Sequence, residues 1–138
     1  MKEAIVRPIA QGTYFDLNRI FRELNARFFD DGIRATLRWG KNKRTDGFIK
    51  RSIRLGSYNP KSSLITIHPC LDQAIVPLIC VERIVFHEML HQHLPPRRSS
   101  KGRTLYHHAD FNRFEDGYPY RAEADLWFKI NLARLLRY

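Results

Sequence analysis

Residues 78–93, LICVERIVFHEMLHQH, form a mostly apolar run that stops at Pro95-Pro96. Leu78, Ile79, Val81, Ile84, Val85 and Phe86 fall on several sides of a helix, which predicts a buried helix from about Leu78 to His93. Proline cannot donate the helical hydrogen bond, so the pair at 95–96 ends it. Within this run stand His87, Glu88 and His91. A carboxylate and two imidazoles in so apolar a helix are unfavourable unless something pairs with them.

The rest of the chain reads as material to wrap that helix. Leu17, Ile20, Phe21, Leu24 and Phe28 recur at helical spacing and predict an amphipathic helix over 13–29. Thr13 with Asp16 is placed to cap it, and Asp30-Asp31-Gly32 to stop it. Three strands are expected next, at 33–40, 48–58 and 63–68, separated by turn signals at Asp46-Gly47 and Asn59-Pro60. In the second, Ile49, Ile53 and Leu55 alternate with Lys50, Ser52 and Arg54. Short links favour an antiparallel meander. After the central helix come a polar, mobile loop at 97–103, a helix over 104–116 ending near Gly117, and a last helix from about Tyr120 to Tyr138. The last helix counts Trp127, Ile130, Ala133 and Leu135 among its apolar positions. This order predicts an α+β domain, with helices on one face of a small three-stranded antiparallel sheet.

With 138 residues the chain makes one domain, 1–138, able to bury roughly two-thirds of its unfolded surface. No apolar run approaches the ~20 residues of a membrane span, and the start, MKEAIVRPIAQG, holds too short an apolar stretch for a signal peptide. A soluble, cytoplasmic monomer is the expectation. Cys70 and Cys80 form no CxxC pair, so they read as buried free thiols and no zinc ribbon is encoded.

The net charge is +10, and it is unevenly spread. Residues 33–61 carry nine basic side chains against Asp46 alone, while 104–138 carry five of each sign. A second basic cluster is Arg97, Arg98, Lys101 and Arg103. One-sided positive charge attracts polyanions. Candidate nucleic-acid contacts are Arg38, Lys41, Lys43, Arg44, Lys50, Arg51, Arg97, Arg98, Lys101 and Arg103, with Trp39, Phe48 and Tyr58 able to stack on unpaired bases.

His87-Glu88-Met89-Leu90-His91 is an HExxH sequence. Two histidines four apart share one helical face, where one Zn²⁺ can bind both at ~2.0–2.1 Å. Glu88 falls beside the metal, able to take a proton from an activated water and pass it to a leaving amine. A third ligand is required. The pattern HExxHxxGxxH fails at Leu94 and Arg97. His93 points to nearly the opposite face, and His68, before a proline at a strand end, reads as structural. His107 and His108 remain, with Glu115 as a possible carboxylate ligand, and spacing does not choose among them. Tyr106, Tyr118 and Arg103 are candidates to stabilise an oxyanion.

Taken in order, these segments resemble the SprT-like zinc metallopeptidase family of Spartan-related domains. Leu24-Asn25 to Phe28-Phe29 with Gly32 looks like the family's first helix and its exit. Arg44-Thr45-Asp46-Gly47 is similar to its Arg-Thr-Ala-Gly segment, and Ser52-Ile53-Arg54-Leu55 to the strand that follows. His87 to His91 matches the active-site helix, and His107-His108-Ala109-Asp110-Phe111 resembles its His-Gly-x-x-Phe segment. The likeness spans about residues 15–117. His108 stands where the family has Gly and Asp46 where it has Ala, and the zinc-ribbon tail of many relatives has no counterpart. The resemblance implies a compact zincin whose sheet edge lines a substrate cleft. It implies one Zn²⁺ on His87, His91 and His107, Phe111 packed beneath the helix, and Glu88 as general base. The expected activity is therefore a zinc-dependent endopeptidase acting on protein substrates, with single-stranded DNA or another nucleic acid as a partner. The alternatives are a zinc-stabilised nucleic-acid-binding module with little or no proteolysis, and a zinc hydrolase acting on a non-peptide amide.

Overall fold

The computed structural model describes residues 9–41 and 53–137. Its elements are α1 (Leu17–Phe28), β1 (Thr36–Trp39), β2 (Gly56–Asn59), β3 (Leu64–Ile67), a 3₁₀ turn (Pro69–Leu71), α2 (Leu78–His93), β4 (Arg97–Arg98), β5 (Thr104–Leu105), α3 (Ala109–Asp116) and α4 (Arg121–Leu136). The architecture is α+β, as expected. Among the described residues no helix is long and apolar enough to cross a membrane.

The sheet corrects the expected antiparallel meander. Its order is β1-β3-β2, with β1 parallel to β3 and β2 antiparallel to it. Within this sheet β2 and β3, joined through Asn59-Pro60, form a hairpin, with Gly56 opposite Ile67 and Asn59 opposite Leu64. The connection from β1 to β2 is long enough to carry the chain past β3, and a parallel neighbour requires such a crossover. The second strand is also shorter and later than the alternation suggested. Ile53 and Leu55 pack on the core and Arg54 is exposed, but pairing begins at Gly56. The expected positions at Asp46-Gly47, Phe48, Ile49, Lys50 and Ser52 lie outside the described residues.

α1 starts where Asp16 accepts a hydrogen bond from the Asn18 amide at 3.0 Å, with Leu17, Ile20 and Leu24 buried. Thr13 does not cap it. Its amide and those of Tyr14 and Phe15 donate to the Asp72 carboxylate at 2.7–3.1 Å, tying the chain ahead of α1 to the turn after β3. The helix stops through Asn25, whose side chain makes two hydrogen bonds to the backbone of Ile33, and through Asp30 and Asp31. Those aspartates, rather than Gly32, take the left-handed conformation, with φ of 51° and 59°, which Asp tolerates better than most residues.

α2 is central, touching α1, α3, α4, β2 and β3. Cys80, Val81, Val85, Phe86, Met89 and Leu90 are fully buried, as an apolar run on several faces demands. Phe86 sits among Phe28, Phe29, Phe114 and Tyr118, with ring centroids 5.2–6.3 Å away. Emptying that position would cost about 3–5 kcal/mol. Both thiols are free and buried, and burial followed by the charge of Asp125 pushes Cys80 up to about 12.

Beyond α2 two expectations change. Residues 97–103 are no open loop: β4 and β5 pair antiparallel, and the turn uses Gly102 at φ 79°. The next helix starts at Ala109, because His108 accepts the Phe111 amide with its Nδ1 and caps α3. In α4, Ala124 and Leu135 are buried and Trp127 packs on the core, but Ile130 is 71% exposed.

Candidate metal centre

Two elements build the site. α2 presents His87 and His91 one turn apart, and the residue before the cap of α3 presents His107. One ring nitrogen from each of the three lies within 4.8 Å of the others. The Nε2 atoms of His91 and His107 are 3.3 Å apart. Two ligands of one tetrahedral ion with bonds of ~2.0–2.1 Å stand about 3.3–3.4 Å apart, so the spacing suits a shared ion. Phe111, fully buried, floors the cluster, its ring centroid 5.1, 4.8 and 5.0 Å from those of His87, His91 and His107.

The choice between neighbouring histidines is settled by what His108 does. Its Nε2 contacts the Pro95 carbonyl oxygen at 3.1 Å while its Nδ1 caps α3, so both nitrogens are engaged away from the cluster. The other histidines behave as their spacing suggested. His93 packs on Phe29 and Phe114, and the His68 Nδ1 accepts the Cys70 amide at 3.0 Å at the 3₁₀ turn.

Glu115 is not a ligand in the cluster. Its Oε2 is hydrogen-bonded to His87 Nδ1, which leaves His87 Nε2 to face the other two rings. Arg83 holds the same oxygen at 2.7 Å and Arg121 approaches Oε1 at 3.4 Å. Burial alone would raise the Glu115 carboxyl, but the His87 bond and the charges of His87 and Arg83 hold it down at about 2. A carboxylate behind a ligating imidazole fixes its tautomer and raises its basicity. This role was missed in the sequence, although Phe111 and Glu115, four apart on α3, mark one helical face turned toward α2.

Burial pushes His91 down to about 4, with His87 and His107 adding to the effect, so the ring is neutral at physiological pH. His107 is lowered in the same way, by burial and then by His87. Neutral imidazole is the form that binds a metal. The donor set therefore fits a metal ion.

Glu88 is buried beside the cluster, one carboxylate oxygen 3.9 Å from His91 Nε2. Burial raises its carboxyl to about 7, against the opposing charges of His87 and Arg54. Gly56 of β2 lies directly over it: a β-carbon there would stand 3.0 Å from Glu88 Oε2 and 2.8 Å from Ile84 Cγ2. Glu88, His91 and His107 open into a cleft of about 430 Å³, walled by Tyr58, Pro60, Pro96, Leu105 and Tyr106, with Arg54 also on its surface.

Of the oxyanion candidates, Tyr106 lines this cleft. Tyr118 is buried in the core with its hydroxyl donating to the Ile79 carbonyl, and Arg103 sits by the hairpin turn, outside the cleft lining. Arg54, read in the sequence as a strand residue of the basic stretch, lies on the cleft surface. Of the nucleic-acid candidates, Arg38, Lys41, Arg98, Lys101 and Arg103 are exposed, and Arg97 is exposed but paired with Asp110. Lys43, Arg44, Lys50 and Arg51 lie outside the described residues. Trp39 is packed against the core with its indole nitrogen buried, while Tyr58 lines the cleft with its hydroxyl accepting from Gln92 at 3.1 Å.

The fold and cluster together define an α+β domain able to hold one metal ion on His87, His91 and His107. Comparison of the chain with protein-family models, with curated proteins and with solved structures finds no match.

Proposed function

We propose that the protein is a zinc-dependent endopeptidase in which Glu88 is the general base. The observation that carries the reading is the buried Glu88 carboxylate beside three convergent imidazoles, lining a cleft of about 430 Å³. When bound, the zinc ion supplies Lewis acidity, polarising a peptide carbonyl and lowering the pKa of a water. His87, His91 and His107 hold the ion, and Glu115 keeps the His87 ring turned toward it. Glu88 accepts the proton of the attacking water and delivers it to the departing amide nitrogen. Burial raises that carboxyl in the metal-free chain, which favours its taking up a proton. A metal site with only a structural role has no need of such a group.

β2 is an outer strand of the sheet, and its Tyr58 lines the cleft while its Gly56 abuts Glu88. An extended substrate added along β2 would bring its backbone past the cluster, with main-chain hydrogen bonds giving affinity. Exposed Arg38, Lys41, Arg98, Lys101 and Arg103 supply positive charge for a nucleic acid partner, which is the part of the reading that resembles SprT-like enzymes.

The test is cleavage of a basic DNA-binding protein by the zinc-loaded chain, with and without single-stranded DNA, beside Glu88→Gln. The variant should keep its zinc and lose about 10²–10⁴-fold in rate. Cleavage by wild type alone, faster with DNA, is the expected result. Cleavage indifferent to DNA would leave the peptidase and remove the nucleic acid. Zinc and DNA binding without cleavage in either form would replace the enzyme with a binding module.

A further inference from the structure

Among the described residues, α4 presents a stripe that stands exposed. Glu123, Leu126, Ile130, Arg134 and Arg137 recur at helical spacing and fall on one face. Leu126 is 58% and Ile130 71% exposed, flanked by exposed Ala122 and Ala133. The buried contacts of α4, Ala124 and Leu135, lie on a different face. Among the described residues Glu123, Arg134 and Arg137 have no ion-pair partner, whereas Arg121 and Asp125, off this stripe, are paired.

We propose that this stripe is a two-fold interface with a second copy of the chain, two α4 helices packing antiparallel. The charge order is what names the occupant. Acid stands at the N-terminal end of the stripe, base at the C-terminal end, and apolar side chains between them. Turned antiparallel about an axis near residue 128, Leu126 of one copy meets Ile130 of the other. Glu123 then lies beside the second copy's Arg134 at both ends, as an isologous contact requires. A parallel arrangement would set acid against acid and base against base. The small side chains of Ala122 and Ala133 let the two backbones approach closely. The wider charge distribution agrees. The excess that would repel a second copy is concentrated in 33–61, while 104–138 carry equal numbers of acidic and basic groups.

One helix face against its copy buries less than the about 1,600 Å² of a standard interface, so the dimer should be weak and reversible, assembling at concentrations on the order of 100 µM. Sedimentation velocity of the zinc-loaded full chain, from roughly 1 µM to 1 mM, should show a monomer–dimer equilibrium. Ile130→Asp should abolish it. Glu123→Arg should weaken it at least about tenfold, and Glu123→Arg with Arg134→Glu should restore it, because the swapped pair is again complementary across the axis. Circular dichroism of each variant checks that the helices remain. A chain monomeric throughout the range overturns the proposal, as does a dimer indifferent to Ile130→Asp or to the charge swap. Association growing beyond dimer also overturns it, since a two-fold contact closes.

Discussion

His87 and Glu115, from two different helices, share a hydrogen bond between an imidazole Nδ1 and a carboxylate Oε2 that Arg83 also holds. This pairing decides which nitrogen of His87 is left for a metal. It also links the site to a partly buried charge network, since Arg83 reaches the exposed Asp125 of α4 at 3.1 Å. Glu115→Gln keeps the shape but weakens the acceptor behind the ring. Zinc affinity should fall about 10–100-fold, read by competition with a chelating indicator. Unchanged affinity would remove Glu115 from the metal site.

The same carboxylate predicts how the metal-free chain responds to acid. Its folded pKa lies near 2, below the ordinary 4.5, because the His87 bond and Arg83 outweigh the opposing effect of burial. A depressed carboxyl stabilises the fold above the unfolded value and loses that contribution as pH falls toward the folded one. Stability should therefore decline between about 4.5 and 2, and Glu115→Gln should flatten that part of the profile. Urea melts of the two chains at several pH values make the comparison; parallel profiles would contradict it.

His107 and His108 are adjacent in sequence and should separate cleanly in mutation. His107→Ala removes one of three convergent nitrogens, so tight zinc binding and any cleavage should disappear while the fold survives. His108→Ala should keep stoichiometric zinc and lose about 1 kcal/mol of stability, because its nitrogens serve the α3 cap and Pro95. Zinc content by metal analysis and a thermal melt on each variant give the answer. Loss of zinc in the His108 variant would reverse the assignment.

Much of the site was legible because it is local. HExxH on one helix face places two imidazoles by helical period alone, and a run apolar on several faces announces its own burial. The bounds of α2 agree with the reading for that reason, since Pro95-Pro96 admits no alternative. The sheet was less legible. Pairing is a long-range choice, and nothing within residues 33–40 says that β1 will lie parallel to β3. Residues 104–108, expected to open the next helix, are instead claimed by the hairpin with Arg97–Arg98 and by the His108 cap. Glu115 was recognised as a carboxylate of interest, but ligand and orienting group differ only by where the helix docks.

Gly56 couples the sheet to Glu88, the proposed general base. It is the first residue of β2, and its missing side chain leaves room for both Ile84 and Glu88 of α2. A methyl group there would stand 2.8 Å from Ile84 Cγ2 and 3.0 Å from Glu88 Oε2, so something must move. Ile84 is half-buried and packed on the core, while the Glu88 carboxylate ends a flexible stem at the cleft, so the carboxylate gives way more readily. Gly56→Ala should therefore lower stability by about 1–3 kcal/mol and lower kcat/KM about 10–100-fold. Zinc affinity should hold, because the atoms nearest the added carbon belong to Ile84 and Glu88 rather than to an imidazole. Peptide cleavage kinetics, a chelator titration and a thermal melt on one preparation separate these effects. An alanine variant with unaltered cleavage would show that Glu88 needs no clearance at this point, and a variant that loses zinc would show that β2 positions the ligands as well as the base.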